Sequence, residues 1–145
     1  RHLVAHEAKL AYDKKLKAAL MDILATPVSP ELLPADENGN IAQKTEDLVG
    51  PYEIHDFYIY YTLRYGFAPD KLYRMAKIAL GHAYSDEELL KWLKNFARRF
   101  FAQQFKRSCL PDGPKVGTLS VSPRGDFMMP SDACVRIWMD ELELL

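Results

Sequence analysis

A chain of 145 residues has the length of one ordinary domain, and on folding it removes roughly 70% of its unfolded surface from water without help from metal or disulfide. Its 48% hydrophobic, 12% aromatic and 27% charged residues read as a folded, water-soluble chain and exclude a disordered tail. With 19 Lys and Arg against 20 Asp and Glu the net charge is -1, which excludes a global field that would recruit nucleic acid or an acidic membrane.

From Arg1 to Ala25, Leu3, Leu10, Leu16, Leu20, Ile23 and Leu24 fall largely at helical spacing between lysines and predict one or two amphipathic helices. The chain opens at Arg1 within that pattern and its first methionine, Met21, lies inside it, so the expectation is a piece of a longer protein. Thr26 to Asn40, "TPVSPELLPADENGN", reads as an irregular linker with turns. Pro51 opens a second helical stretch in its first turn, ended by Gly66 as a cap, and Pro69 opens a third, stopped at Gly81.

The clearest helix begins at Ser85. "SDEE" is a capping box in which Ser85 and Glu88 satisfy each other's backbone N–H groups, and the acidic residues suit the positive end of the helix dipole. Leu89, Leu93, Phe96 and Phe100 form one face, widened by Ala97 and Phe101, with Lys91, Lys94, Arg98 and Arg99 mainly away from it. After Ser108 the pattern dissolves into turns, with at most a short strand at Thr118 to Val121. Asp132 then predicts the cap of a last helix whose apolar members include Val135, Ile137, Trp138 and Leu142.

Catalytic apparatus is hard to find. The sequence has no Gly-x-Gly-x-x-Gly, no Walker loop, no Gly-x-Ser-x-Gly elbow and no paired histidines at metal spacing. No apolar run approaches the roughly 18 residues of a spanning helix. Cys109 and Cys134 stand outside any Cys-x-x-Cys motif and read as reduced thiols of a cytoplasmic protein. His55 beside Asp56 reads as a structural histidine, because adjacent helical residues point in different directions. Tyr58, Tyr60, Tyr61 and Tyr65 suit a helix packed against others or a subunit interface.

The basic corner is different. Lys106, Arg107, Lys115 and Arg124 lie close in sequence with Asp112 and Asp126 as the carboxylates among them, on backbone that Gly113, Gly117 and Gly125 allow to approach a ligand. Such a set suits an anion or an ordinary surface loop. A charge-assisted hydrogen bond to phosphate is worth roughly 1.5–3 kcal/mol where water is partly excluded, against about 0–1 kcal/mol for an exposed ion pair. One pocketed lysine therefore outweighs a solvated stripe.

"TPVSPELLP", "QKTEDLVGPYEIHDF", "LRYGFAP", "FFAQQFKRSCLPDGPKVG" and "SPRGDFMMPSDA" together make the sequence resemble the carboxy-terminal end of glutamine-dependent NAD synthetases, over essentially residues 1–145. The resemblance implies an amidohydrolase domain that releases ammonia from glutamine and an ATP-pyrophosphatase-type α/β domain, of the adenine-nucleotide α-hydrolase-like fold, that adenylates deamido-NAD with ATP and Mg²⁺. This chain then corresponds to the mainly α, helical last part of the second domain.

The family's Ser-Gly-Gly-x-Asp-Ser loop is absent, so the chain alone is expected neither to make NAD nor to bind those cofactors. Its expected partners are deamido-NAD, ATP, ammonia from glutamine, the remaining domains of the same enzyme and further copies of it, in the cytoplasm, with neither nucleic acid nor membrane among them. By resemblance Lys106 in "QFKRS" matches the lysine that contacts deamido-NAD, helped by Arg107. Phe105 stands where the ammonia-dependent branch has a histidine. Ser29 in "VSPEL" resembles a hydroxyl residue near ATP, though Pro30 and Glu31 depart from the smaller enzymes' pattern, and Glu46 and Asp47 fall in a loop near the nucleotide. Arg124 and Asp126 of "SPRGDF" suit a contact that couples the two active sites. Two other classes remain open on the residues alone: a non-catalytic helical interaction module using the Tyr-rich helix and basic stripe, and a single-strand nucleic-acid binder, which the neutral charge disfavours.

Overall fold

Helical periodicity and good end signals decide most of the secondary structure. The computed structural model describes residues 1–26 and 45–145; the predicted linker beyond Thr26, with Ser29, Pro30 and Glu31, lies outside the described residues. The chain divides into two compact units, Arg1–Leu48 and Val49–Leu145.

In the first unit α1 (His2–Leu10) and α2 (Lys14–Ala25) pack against each other. Two helices form because Asp13 takes extended backbone and its carboxylate accepts the Lys15 N–H at 2.8 Å, starting α2 afresh. Among the described residues of this unit Ala8 alone is buried, and Leu3, Leu16 and Ile23 are exposed. The short α3 (Thr45–Val49) crosses the boundary between the units.

The second unit is built around α6 (Asp86–Ala102), which touches α4 (Tyr52–Tyr65), α5 (Pro69–Leu80), α7 (Gln104–Ser108) and α8 (Arg136–Glu143). The capping box forms as predicted: Glu88 N–H donates to Ser85 Oγ at 3.2 Å, and Ser85 N–H donates to Glu88 Oε2 at 3.0 Å. Leu89, Leu93, Phe96, Ala97 and Phe100 are buried, each large side chain worth roughly 1.5–3 kcal/mol in removal from water. Against them α4 sets Ile54 and Tyr58, α5 sets Leu72, Ala76 and Leu80, and α8 sets Leu142.

Polar ties fix how these helices meet. Tyr58 Oη donates to Leu89 O at 2.9 Å from a fully buried ring. The Asp70 N–H, one of the N–H groups left without a helical partner at the start of α5, donates to Glu141 Oε1 of α8 at 2.9 Å. Gly50, at φ 92°, runs so close to Trp92 that a Cβ there would stand 2.4 Å from Trp92 Cδ2. That approach brings Val49 O to the His55 ring Nε2, and His55 also meets Phe96 edge-on at 6.0 Å. His55 is thus the satisfied structural histidine expected of it.

Gly66 ends α4 in the left-handed region as anticipated, and Pro69 and Gly81 bound α5. One expectation fails. Asp132 caps nothing: α8 begins only at Arg136, and Asp132 lies in a turn where the Ala133 N–H donates to Pro130 O at 3.2 Å. Among α8's anticipated apolar members Ile137 is exposed, since the helix turns Trp138 and Leu142 inward instead. Residues 118–121, read as at most a short strand, form none, because no neighbouring strand among the described residues offers a hydrogen-bonding ladder.

Candidate functional site

At Gln103 the backbone leaves helical geometry (φ -100°, ψ 11°), ending α6 and restarting the chain as the five-residue α7. Positions 104 and 107 of α7 face inward. Gln104 is completely buried; its Nε2 donates to Met129 O at 2.9 Å, and its Oε1 accepts from Arg107 Nε at 2.7 Å. Arg107 reaches back to α6, donating through Nη2 to Phe100 O, with its guanidinium carbon 4.4 Å from the centre of the Phe100 ring. Burial pushes the Arg107 pKa below its ordinary value.

The following loop satisfies its own charges. Arg124 donates through Nε to Asp112 at 2.7 Å and through Nη1 to Ser108 O at 3.2 Å. Lys115 Nζ pairs with Asp126 at 2.8 Å, and that bond holds the Asp126 carboxyl below the usual carboxylate range. These ties enclose an open concavity of about 690 Å³ lined by loop residues from Leu110 to Asp126.

Of the four clustered cations, two are therefore neutralised by loop carboxylates and Arg107 is turned inward. Lys106 remains: it is exposed, and its ammonium makes no hydrogen bond or ion pair among the described residues. Phe105 beside it is 52% exposed. The charge available to an anion at this corner is carried by one side chain, Lys106, since Arg107 is committed to Gln104 and Phe100.

Glu46 and Asp47, expected in a loop, are instead exposed in the first turn of the short helix α3, where carboxylates suit the positive end of the helix. Among the described residues no group of three or more His, Cys, Asp or Glu is placed to hold a metal ion, so neither carboxylate belongs to a preformed metal site there. Cys109 and Cys134 are free and exposed. No helix of the described residues is long and apolar enough to cross a membrane. Gln104 escaped the sequence reading, because an amide in a basic run carries no periodic signal of burial.

A second feature lies along α4. Phe57, Tyr60, Tyr61 and Leu63, with Leu119 and Val121, line an open and mainly apolar groove of about 820 Å³, flanked by Glu53 and Asp56. Tyr61 stacks with Tyr65 at 5.5 Å and with Phe67 at 5.4 Å, while Tyr60 and Tyr65 keep half of their surface exposed. The tyrosine cluster thus divides between core and surface.

Fold and corner together define a helical segment that presents one exposed lysine, Lys106, from a short helix at the end of α6. Known proteins sharpen that class. No family model matches. The chain is 37% identical to the glutamine-dependent NAD(+) synthetase of Mycobacterium leprae over 158 residues, taking in 94% of this chain and 22% of the relative. It is 38% identical to those of Mycobacterium bovis and Mycobacterium tuberculosis over 150 residues, 91% of this chain and again 22% of each relative. The chain is therefore a homologue of glutamine-dependent NAD(+) synthetases along nearly all of its own length, and it spans about a fifth of theirs.

Proposed function

We propose that this chain is the carboxy-terminal, helical part of the synthetase domain of a glutamine-dependent NAD synthetase, an ATP-dependent carbon–nitrogen ligase that converts deamido-NAD to NAD. The observation that carries this reading is sustained identity of 37–38% over 91–94% of the chain. In the complete enzyme an α/β half would supply the ATP loop and a separate domain the ammonia from glutamine, with Mg²⁺ neutralising ATP phosphates. The parent protein would act as a cytoplasmic homo-oligomer.

Ammonia attacks the adenylated carboxyl carbon, a tetrahedral species forms whose nitrogen gives up one proton to solvent, and its collapse makes the amide and expels AMP with the bonding electron pair. Negative charge gathers on the leaving phosphate, and cations held in place beforehand lower that barrier without reorganising. Lys106 suits an anionic part of deamido-NAD, since it is exposed and unpaired, while Arg107 is turned away to Gln104 and Phe100. Neither residue moves a proton in this scheme. Ser29, Glu46 and Asp47 would serve the nucleotide side. Arg124 and Asp126, held by Asp112 and Lys115, would give the "SPRGDF" turn a fixed shape for contact with the other domains or subunits.

In the full-length synthetase carrying this span, Lys106→Ala is expected to raise KM for deamido-NAD about tenfold or more while leaving the fold intact, as loss of one charge-assisted bond implies. Unchanged substrate kinetics would remove Lys106 from the site. If Asp126→Asn leaves glutamine hydrolysis and NAD formation as tightly coupled as before, the turn has no coupling role. The α4 groove favours a second reading, a docking module; that reading requires the isolated chain to bind a macromolecule by itself.

A further inference from the structure

We propose that Gln104 and Arg107 are positioning residues: the buried Gln104 and half-buried Arg107 form a brace that holds α7 in the one orientation presenting Lys106 outward, and Arg107 is not itself a substrate ligand. The inference rests on the reading of Lys106 as the substrate-facing cation. A helix of five residues does not hold its shape alone, because nucleation costs more than its few hydrogen bonds return. Its orientation must come from side chains.

Residues three apart on a helix share a face, whereas neighbours point about 100° apart. With Gln104 and Arg107 both turned into the body of the unit, Lys106 and Phe105 are left facing outward. The brace has two anchors. Gln104 binds Met129 O at 2.9 Å, 25 residues away, and Arg107 binds Phe100 O at the end of α6. The 2.7 Å bond between the two side chains closes the circuit.

Phe100, on which the guanidinium lies, is itself fixed by Phe127 at 5.3 Å and by Trp138, whose ring is parallel to it within 2° at 6.4 Å. A fully buried amide with both of its ends engaged tolerates few alternative geometries, since any shift strands a polar group in the interior. Arg107 commits Nε and Nη2 to this circuit and stacks its plane, the use for which a lysine is a poor substitute.

The test is a double-mutant cycle in the full-length synthetase bearing this span, with steady-state kinetics against deamido-NAD. Gln104→Leu, and separately Arg107→Met, are expected to raise KM about three- to tenfold with a smaller change in kcat, and to raise it no further when Lys106 is already alanine. If either substitution raises KM by the same factor in both backgrounds, the residue acts independently of Lys106 and the brace is refuted. If Lys106→Ala raises KM while Gln104→Leu and Arg107→Met do not, the brace falls and the Lys106 reading stands. No effect of Lys106→Ala brings down that reading and this inference together. Should the apolar substitutions fail to fold, Arg107→Lys, which keeps the charge but loses the planar fork, enters the same cycle with the same expectations.

Discussion

Helix α6 and the loop that follows α7 both carry charged side chains and dispose of them in opposite ways. On α6 the cations are sorted by periodicity alone: an apolar stripe goes inward, and Lys91, Arg98 and Arg99 go to water. In the loop no periodicity exists, and each cation is settled by a carboxylate across a turn, Arg124 by Asp112 and Lys115 by Asp126. Clustered cations on an irregular stretch therefore do not imply a ligand until local carboxylates have been matched to them. After that subtraction the corner keeps one outward lysine.

The contrast can be tested by removing what holds each region. The largest effect is expected in the core, where Leu93→Ala should cost about 2–5 kcal/mol, because the truncated side chain leaves a cavity beneath α4 and α5. A urea titration reads it, and a loss below about 1 kcal/mol would mean that α6 is not the central element. Gly50→Ala should cost about 1–3 kcal/mol from backbone strain, with the contact at Trp92 added. A midpoint equal to that of the parent chain would show that the Val49–Pro51 turn is not held at Trp92.

Tyr58→Phe should cost about 0.5–1.5 kcal/mol through the lost bond to Leu89 O. It should also change the alkaline limb of the stability curve. Burial, with Tyr73 adding to it, pushes the Tyr58 phenol above its ordinary 10.0, so the unfolded chain releases that proton first. Stability from this group is full below pH 10.0 and declines as pH rises above it toward the folded pKa. Unfolding midpoints above pH 10.0 should therefore fall more steeply for the parent than for Tyr58→Phe, and equal slopes would contradict the burial of the phenol.

Asp112→Asn should have the smallest effect, at most about 1 kcal/mol and vanishing at high salt, because its pair with Arg124 is exposed. A loss as large as that of Tyr58→Phe would show that the loop is bound into the core rather than closed on itself. Thermal unfolding at low and at high salt separates the two cases.

The sequence by itself determined the elements whose rules are local. The Ser85–Glu88 box, the prolines before α4 and α5, the left-handed Gly66 and the stripe from Leu89 to Phe100 are all written within four residues of where they act. It also suggested Lys106, the cation proposed to face the substrate, through long ordered motifs. Asp132 misled, because a capping residue acts only where the next turn is free to be helical, and here a turn at Pro130 delays α8 to Arg136. Tertiary structure alone decided which cations are spent and which residues brace α7. Those outcomes depend on partners 11, 12 and 25 positions away, in Lys115–Asp126, Arg124–Asp112 and Gln104–Met129. No periodicity records such pairings, because they arise only when the folded chain brings separate turns into hydrogen-bonding reach.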